Sequence, residues 1–113
     1  MRSDSNSFTA SWLAARLGAD PALIEARRRA GELFGVPKDG GFDHVYPSWQ
    51  FGPNGEPIRA VAQLLAASRE VGMDDAQLDA FLNRRAGVGG PRMWEFVRDG
   101  RVDYVISSLR SAA

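Results

Sequence analysis

The residue types best suited to chemistry cluster in the second quarter of the chain: Glu25, Arg27, Arg28, Arg29 and Lys38. Guanidinium groups donate paired hydrogen bonds to guanine edges and phosphate oxygens, and a glutamate can accept one from cytosine. At about 100° per residue, three consecutive arginines fan around a helix, so at least one faces outward. These five residues are the predicted DNA-binding set. The alternative is that the arginines pair with glutamates at helical spacing on a solvated surface.

Catalytic chemistry has little support in the sequence. The chain has no cysteine and a single histidine, His44, which excludes disulfides, zinc–thiolate sites, thiol nucleophiles and a conventional metal cage. The serines lack an evident histidine and acid partner. The glycine-rich run at 87–91, GVGGP, has neither the lysine nor the buried strand of a phosphate-binding loop. We therefore expect no enzyme activity, no cofactor and no metal.

The composition is that of an ordinary globular protein. The 113 residues suit one domain or two small subdomains, and 44% of them are hydrophobic and 25% charged. The net charge is zero, with 14 basic and 14 acidic residues. Because phosphate neutralisation supplies most nonspecific affinity, any DNA contact must be local. With neither a secretory signal nor an apolar run of about 20 residues, a cytoplasmic protein without a membrane segment is expected.

Two short helices are predicted to position the arginines. Thr9 or Ser11 can cap the first helix, and Gly18 can end it in a left-handed conformation. Asp20 can cap the second helix, with Pro21 at its first position, where the missing N–H costs nothing. The expected arrangement is helix, short turn, helix.

The apolar positions of this half are predicted to form its small core. Leu13 and Leu17 line the first helix, while Leu23, Ile24 and Ala30 line the inner side of the second. Seven of the eleven aromatic residues lie in the first 51 positions, a density that indicates a core role. The aromatic side chains assigned to that core include Trp12, Phe34, Tyr46 and Trp49.

A short hairpin is predicted after the second helix. Phe34 and Val36 indicate a strand, Lys38 to Gly41 a turn, and Phe42 to Tyr46 a return strand, because Asp-Gly-Gly supplies the positive φ angles of a tight hairpin. The predicted fold is mainly α, with a winged helix-turn-helix over residues 8–51. This segment is called the head below.

The second half of the chain is predicted to be helical. After the turn GPNG at 52–55, one helix runs from Pro57 to about Val71, and a second begins at Asp74 and continues to Gly87. A third begins at Pro91 and ends at Gly100. The last carries a stripe of Val102, Val105, Ile106 and Leu109. This four-helix region, residues 57–113, is called the tail.

The predicted partner-binding residues lie off the apolar stripe of the last helix. They are Arg98, Arg101, Tyr104 and Arg110. Tyr and Arg are favoured anchors at protein interfaces. The stripe itself is assigned to the core, with a protein interface as the alternative.

The head segment FTASWLAARLGADPALIEARRRAGELFGVPKDGGFDHVYPSWQF resembles the helix-turn-helix of MerR and excisionase type. The similarity lies in the short first helix ending at Leu17-Gly18, the second helix, an arginine followed by Gly-x-Leu, and the aromatic-Pro step after the hairpin. The tail segment LDAFLNRRAGVGGPRMWEFVRDGRVDYVISSLRSA is similar to the end of antitoxins in the Xre/MbcA/ParS group. That match is carried by Gly90-Pro91, Arg98-Asp99-Gly100 and Val102 to Leu109.

Together these resemblances imply an antitoxin-like regulator. Its head would bind operator DNA and regulate its own operon, and its tail would neutralise a cognate toxin of the NAD-consuming RES type. The resemblance also implies a homodimer or a toxin–antitoxin complex. Two alternatives remain open. One is a free-standing DNA-binding transcriptional regulator. The other is a protein-interaction module that has lost DNA binding, since Lys38 is the lone cation of a wing that also carries Asp39 and Asp43.

Overall fold

The protein is mainly helical with one small antiparallel sheet. The structure, a computed structural model, describes residues 7–38 and 43–112. In those ranges the order is β1 (Ser7–Thr9), α1 (Ala10–Leu17), α2 (Pro21–Arg29), β2 (Val36–Lys38), β3 (Asp43–Pro47), a 3-10 turn (Ser48–Gln50), α3 (Arg59–Glu70), α4 (Asp75–Leu82), α5 (Met93–Arg98) and α6 (Val102–Ala112). None of the helices in this described part has the length and apolar character needed to cross a bilayer.

The first two helices follow the predicted local signals. The Thr9 hydroxyl accepts the Trp12 N–H at 3.1 Å at the start of α1. Gly18 ends α1 with φ +67°, a left-handed conformation in which a side chain would be strained. The Asp20 carboxylate accepts the N–H of the second residue of α2, and Pro21 opens that helix. Both helices are thus bounded by short-range hydrogen bonds that the sequence specifies.

The sheet has three strands in the order β1-β3-β2, all antiparallel. Phe8 pairs with Tyr46 on one side of β3, and Val36 pairs with Val45 on the other. Strand β1 is an addition to the predicted hairpin, because the residues before α1 carry too short an apolar pattern to indicate a strand. Alternation along β3 directs successive side chains to opposite faces of the sheet.

The predicted boundaries of the hairpin need correction. Phe34 precedes β2 and lies in the core, so the first strand begins only at Val36. The return strand runs through Asp43–Pro47. The predicted turn and the predicted start of the return strand fall on 39–42, outside the described residues.

The head has a small core of Leu13, Ala14, Ile24, Leu33 and Tyr46. Two predicted inward residues of α2 are instead on the surface: Leu23 is 52% exposed, and Ala30 is also exposed. Trp12, assigned to the core, is 46% exposed. A residue adjacent to a buried one is rotated by about 100° around the helix. In α1 and α2 only a narrow face is covered, so Leu13 and Ile24 are buried while Trp12 and Leu23 are not.

The tail contains the larger core, in which α3 packs on α6 and α5. Its buried residues are Phe34, Val61, Leu64, Leu65, Leu78, Phe81, Leu82, Met93, Val97, Val102, Val105 and Leu109. Phe34 comes from the head, and Trp49 packs against the same cluster, so the two halves share an apolar contact. The division of the chain into residues 8–51 and 57–113 stays a prediction.

Helix α4 is shorter than predicted. It begins at the Asp74 cap, as expected: the Asp74 carboxylate accepts the Gln77 N–H, and the Gln77 side chain accepts the Asp74 N–H. It ends at Leu82 rather than Gly87. The following segment folds back on itself, since the Ala86 N–H donates to the Pro91 carbonyl at 2.8 Å. This local closure replaces the last helical turn and delays the next helix, α5, to Met93.

Candidate nucleic-acid interface and partner surface

Arg27 is held by two glutamates, one in the head and one in the loop that follows it. Its Nε lies 3.1 Å from Glu32 Oε1 and its Nη2 lies 2.9 Å from Glu56 Oε1. Burial acts to lower the pKa of Arg27, but the hydrogen bonds that it donates to Glu56 and Glu32 outweigh burial and raise the pKa above its usual value. The side chain therefore ties the end of α2 to the loop before α3.

Arg28 points toward the sheet. Its side chain is only 15% exposed, and its Nη2 lies 3.7 Å from Glu25 Oε1. A Cβ at Gly35 would come within 2.6 Å of the Arg28 Cδ and 3.0 Å of the Tyr46 ring, so a glycine is needed there. Arg28 thus packs between α2 and β3, where its guanidinium has little reach toward solvent.

The three remaining residues of the predicted DNA-binding set are accessible. Arg29 is 64% exposed, with its Nη1 3.9 Å from Glu25 Oε1. Glu25 is itself 40% exposed. Lys38 is exposed at the end of β2, opposite Asp43 in the strand register, and no described acid lies within 4.0 Å of its amine. The structure therefore separates Arg27 and Arg28, which hold the head together, from Arg29, Glu25 and Lys38, which face outward.

Three polar atoms are buried beneath α2. They are Arg28 Nε, His44 Nδ1 and Tyr46 OH, and none has a hydrogen-bond partner within the described part of the chain. Burial and then the charge of Arg28 lower the pKa of His44, which favours the neutral form of its imidazole. Burial likewise raises the pKa of Tyr46. Protonation of His44 or ionisation of Tyr46 would add a charge to this cluster and is therefore expected to weaken the packing of α2 on the sheet.

Sequence reasoning missed an exposed aromatic and basic surface on α1. Trp12 stacks on Phe8 with ring centroids 4.2 Å apart and planes at 16°. The Arg16 guanidinium lies 5.6 Å from the centre of the Trp12 ring. Arg16 has no ion-pair partner among the described residues. The sequence signal for this surface is the spacing of Trp12 and Arg16, one helical turn apart.

In the tail, the predicted partner-binding residues separate into one cluster and two single positions. Tyr104 is 42% exposed, and its ring centroid lies 5.0 Å from that of Phe96. The Arg101 guanidinium lies 5.3 Å from the Phe96 ring centre and 6.0 Å from that of Tyr104. Phe96, Arg101 and Tyr104 form a continuous surface, called the tail cluster below.

The other two predicted partner-binding residues have acidic neighbours. Arg98 Nε lies 2.9 Å from Asp99 Oδ1, and this bond raises the pKa of Arg98 and lowers the pKa of Asp99. Arg110 Nη2 lies 3.2 Å from Glu70 Oε1 on α3. Both pairs are well exposed, so each contributes little to stability.

The described residues contain no group of three metal-ligating side chains close enough to hold an ion. The absence of enzyme activity stays a prediction.

No model of a known protein family matches the chain, and no curated protein matches it either. Among solved structures, the fold is similar to the NMR structure of Rv2175c, with a TM-score of 0.77 and 20% sequence identity over 95% of this chain and 80% of that chain. At this identity the likeness concerns the fold. It extends through both the head and the tail.

Proposed function

We propose that this chain is an antitoxin-like DNA-binding regulator, in which the head acts as a winged helix-turn-helix and the tail binds a protein partner. The observation that carries the proposal is the exposed face of α2. This helix is capped by Asp20, braced against the sheet by Arg28 and presents Leu23, Glu25 and Arg29 outward. A helix held in this way beside a β-hairpin has the parts needed to read a major groove.

The chemistry of that face suits base recognition. In helix-turn-helix proteins the first residues of the recognition helix contact base edges. Here they are Ala22 and Leu23, both exposed, and small or apolar side chains contact the methyl group of thymine. Glu25 can accept from the cytosine amino group, and Arg29 can donate to guanine or to phosphate. The four side chains would give α2 a limited sequence preference.

Phosphate contacts are expected from few residues. Lys38 on the hairpin and Arg16 on α1 are both exposed, and neither has an ion-pair partner within the described ranges. Since the head carries equal numbers of basic and acidic residues, nonspecific affinity should be low and sensitive to salt. A homodimer placing two heads on one duplex would compensate for the small number of contacts.

The tail cluster supports the partner-binding part of the proposal. An exposed Tyr and an exposed Arg packed on a second aromatic ring form a surface typical of interface anchors. The resemblance of the tail to antitoxins supports a toxin as the partner, of the RES type that consumes NAD.

Binding of the full-length protein to a duplex from the region upstream of its own gene tests the DNA part. Arg29→Ala should weaken binding about tenfold in a fluorescence anisotropy titration, because it removes one charged contact. Arg59→Ala is the matched control, since Arg59 is an exposed arginine at the start of α3 in the tail. Equal effects of the two variants would contradict recognition through α2. Absence of binding at low salt would favour the interaction module without DNA binding.

Co-expression with the product of the adjacent gene tests the partner part. If that product is toxic alone, the wild-type chain should restore growth and copurify with it. Arg101→Ala with Tyr104→Ala should abolish both effects, while Gln63→Ala on the exposed face of α3 should abolish neither. A neighbour that is not toxic, or a toxic one that forms no complex, would overturn the antitoxin assignment. DNA binding without a complex would leave the free-standing regulator.

A further inference from the structure

We infer that a groove between the sheet and helices α4 and α5 binds a guanine nucleotide. The groove has a volume of about 690 Å³, within the range of roughly 300–1,000 Å³ typical of small-molecule sites. Strands β2 and β3 contribute one side, and the other side is formed by the end of α4 and by α5. The groove therefore lies where head and tail meet. It shares Lys38 with the proposed DNA contacts, so nucleotide binding is measured in the absence of DNA.

Two tryptophans give the groove an affinity for planar rings. Trp49 and Trp94 both line it, with ring centroids 6.2 Å apart and planes inclined at 18°. Both side chains are partly exposed. Stacking of a nucleobase on an aromatic side chain contributes about 1–3 kcal/mol. A flat heterocycle is thus the ligand shape that this side of the groove favours.

The carboxylate of Asp79 determines which heterocycle the groove binds. Asp79 lines the groove, and its carboxylate accepts a hydrogen bond from Asn83 Nδ2 at 3.2 Å. No described cation lies within 4.0 Å of it, and burial raises its pKa. A carboxylate has room for further donors. Guanine presents two adjacent donors, N1–H and the 2-amino group, whereas adenine presents an acceptor at N1 that a carboxylate repels.

Two cations can hold a phosphate group. Lys38 and Arg98 both line the groove and are exposed. The amine of Lys38 is not engaged by any described acid, and the Arg98 guanidinium lies 5.3 Å from the centre of the Trp94 ring while bonding Asp99. Stacking, a donor-seeking carboxylate and a pair of cations match the base and the phosphate of a guanosine phosphate.

Guanosine monophosphate, adenosine monophosphate and guanosine are the probes for the test. The full-length Trp12→Phe variant is used, so that tryptophan fluorescence reports only on Trp49 and Trp94. Guanosine monophosphate should give a saturable change below about 1 mM, with roughly tenfold preference over adenosine monophosphate. Isothermal titration calorimetry on the wild-type chain checks the same affinities.

Variants separate the three contacts. Asp79→Asn should remove the preference for guanine, because an amide no longer provides two acceptors. Lys38→Met should weaken binding of the nucleotide severalfold without changing binding of guanosine, which has no phosphate. Asp103→Asn, at an exposed acid on α6, is the matched control and should change neither. The inference is overturned by absence of saturable binding, by equal affinity for the two nucleotides, or by a guanine preference that survives Asp79→Asn.

Discussion

The head and the tail are stabilised in different ways. The larger core contains twelve buried residues, eleven from the tail and Phe34 from the head, and all of them are apolar. The smaller core of the head contains five, and the head also buries Gln50, which is 0% exposed and hydrogen-bonded to the backbone of Phe34 and Pro47. The tail is therefore stabilised chiefly by apolar volume, and the head by hydrogen bonds made in particular directions.

This difference bears on function. A small core leaves a large share of a segment's side chains on the surface, and in the head these include Leu23, Arg29 and Trp12. Directional hydrogen bonds then hold the exposed elements in one orientation without requiring much buried area. The head therefore exposes many of its side chains, whereas most of the tail contributes to the core that stabilises the chain.

The largest effect is expected from Leu64→Ala in the tail. Leu64 is 0% exposed within the larger core, so its truncation should lower the free energy of unfolding by about 3–4 kcal/mol. Leu23→Ala in the head, at a residue 52% exposed, should change it by less than about 0.5 kcal/mol. Chemical denaturation measures both. Similar losses in the two variants would contradict the burial of Leu64 in the larger core and the exposure of Leu23 on α2.

A smaller loss is expected from Gln50→Ala in the head. The Gln50 amide accepts the Phe34 N–H at 2.8 Å and donates to the Phe34 and Pro47 carbonyls at 2.8 and 3.2 Å. Removing it leaves these buried backbone groups unpaired, at a cost of about 2–3 kcal/mol in unfolding free energy. The exposed Gln63→Ala is the control. A loss no greater than that of the control would show that the head does not depend on this side chain.

Asp20→Ala should have a more modest effect. The Asp20 carboxylate caps α2 through the Ala22 N–H at 2.9 Å, and loss of such a cap costs about 1 kcal/mol. Because the frayed turn carries Leu23, DNA affinity should fall together with stability. Asp20→Ser retains a capping oxygen and should restore both. If Asp20→Ser behaves like Asp20→Ala in the binding assay, the cap does not explain the loss.

The smallest effect concerns pH. Burial, followed by the charge of Arg28, lowers the pKa of His44 from its usual 6.5, so the unfolded chain takes up the proton more readily than the folded one. The stability contributed by neutral His44 is present above pH 6.5 and is lost as the pH falls toward the lower folded-state pKa. Denaturation at about pH 7.5 and about pH 5.5 should show this loss in the wild type. His44→Gln removes the titrating group, and an equal loss in that variant would contradict the explanation.

The features that sequence reasoning predicted correctly are local. The caps at Thr9, Asp20 and Asp74 and the stop at Gly18 depend on hydrogen bonds or φ angles within a few residues of the chain. The buried stripe of α6 followed from helical period alone: Val105 and Leu109 are 0% exposed.

The features that it missed depend on long-range packing. Whether Trp12 is covered depends on which element crosses α1, and Arg28 faces inward because Gly35, seven residues later, leaves room for its side chain. The groove requires Trp49, Asp79 and Trp94 to meet from three distant segments. Composition and periodicity carry no information about such long-range contacts, so the sequence could suggest the proposed interface on α2 but not the groove between the sheet and helices α4 and α5.

The central claim, that the head binds DNA through α2, is tested most directly by the salt dependence of binding. The affinity of the wild-type chain for the upstream duplex should fall linearly with the logarithm of salt concentration. Arg29→Ala should reduce the magnitude of that slope by about one, as expected for one lost phosphate contact, and Arg59→Ala should leave it unchanged. An unchanged slope in Arg29→Ala, or a reduced one in Arg59→Ala, would contradict DNA binding by the exposed face of α2.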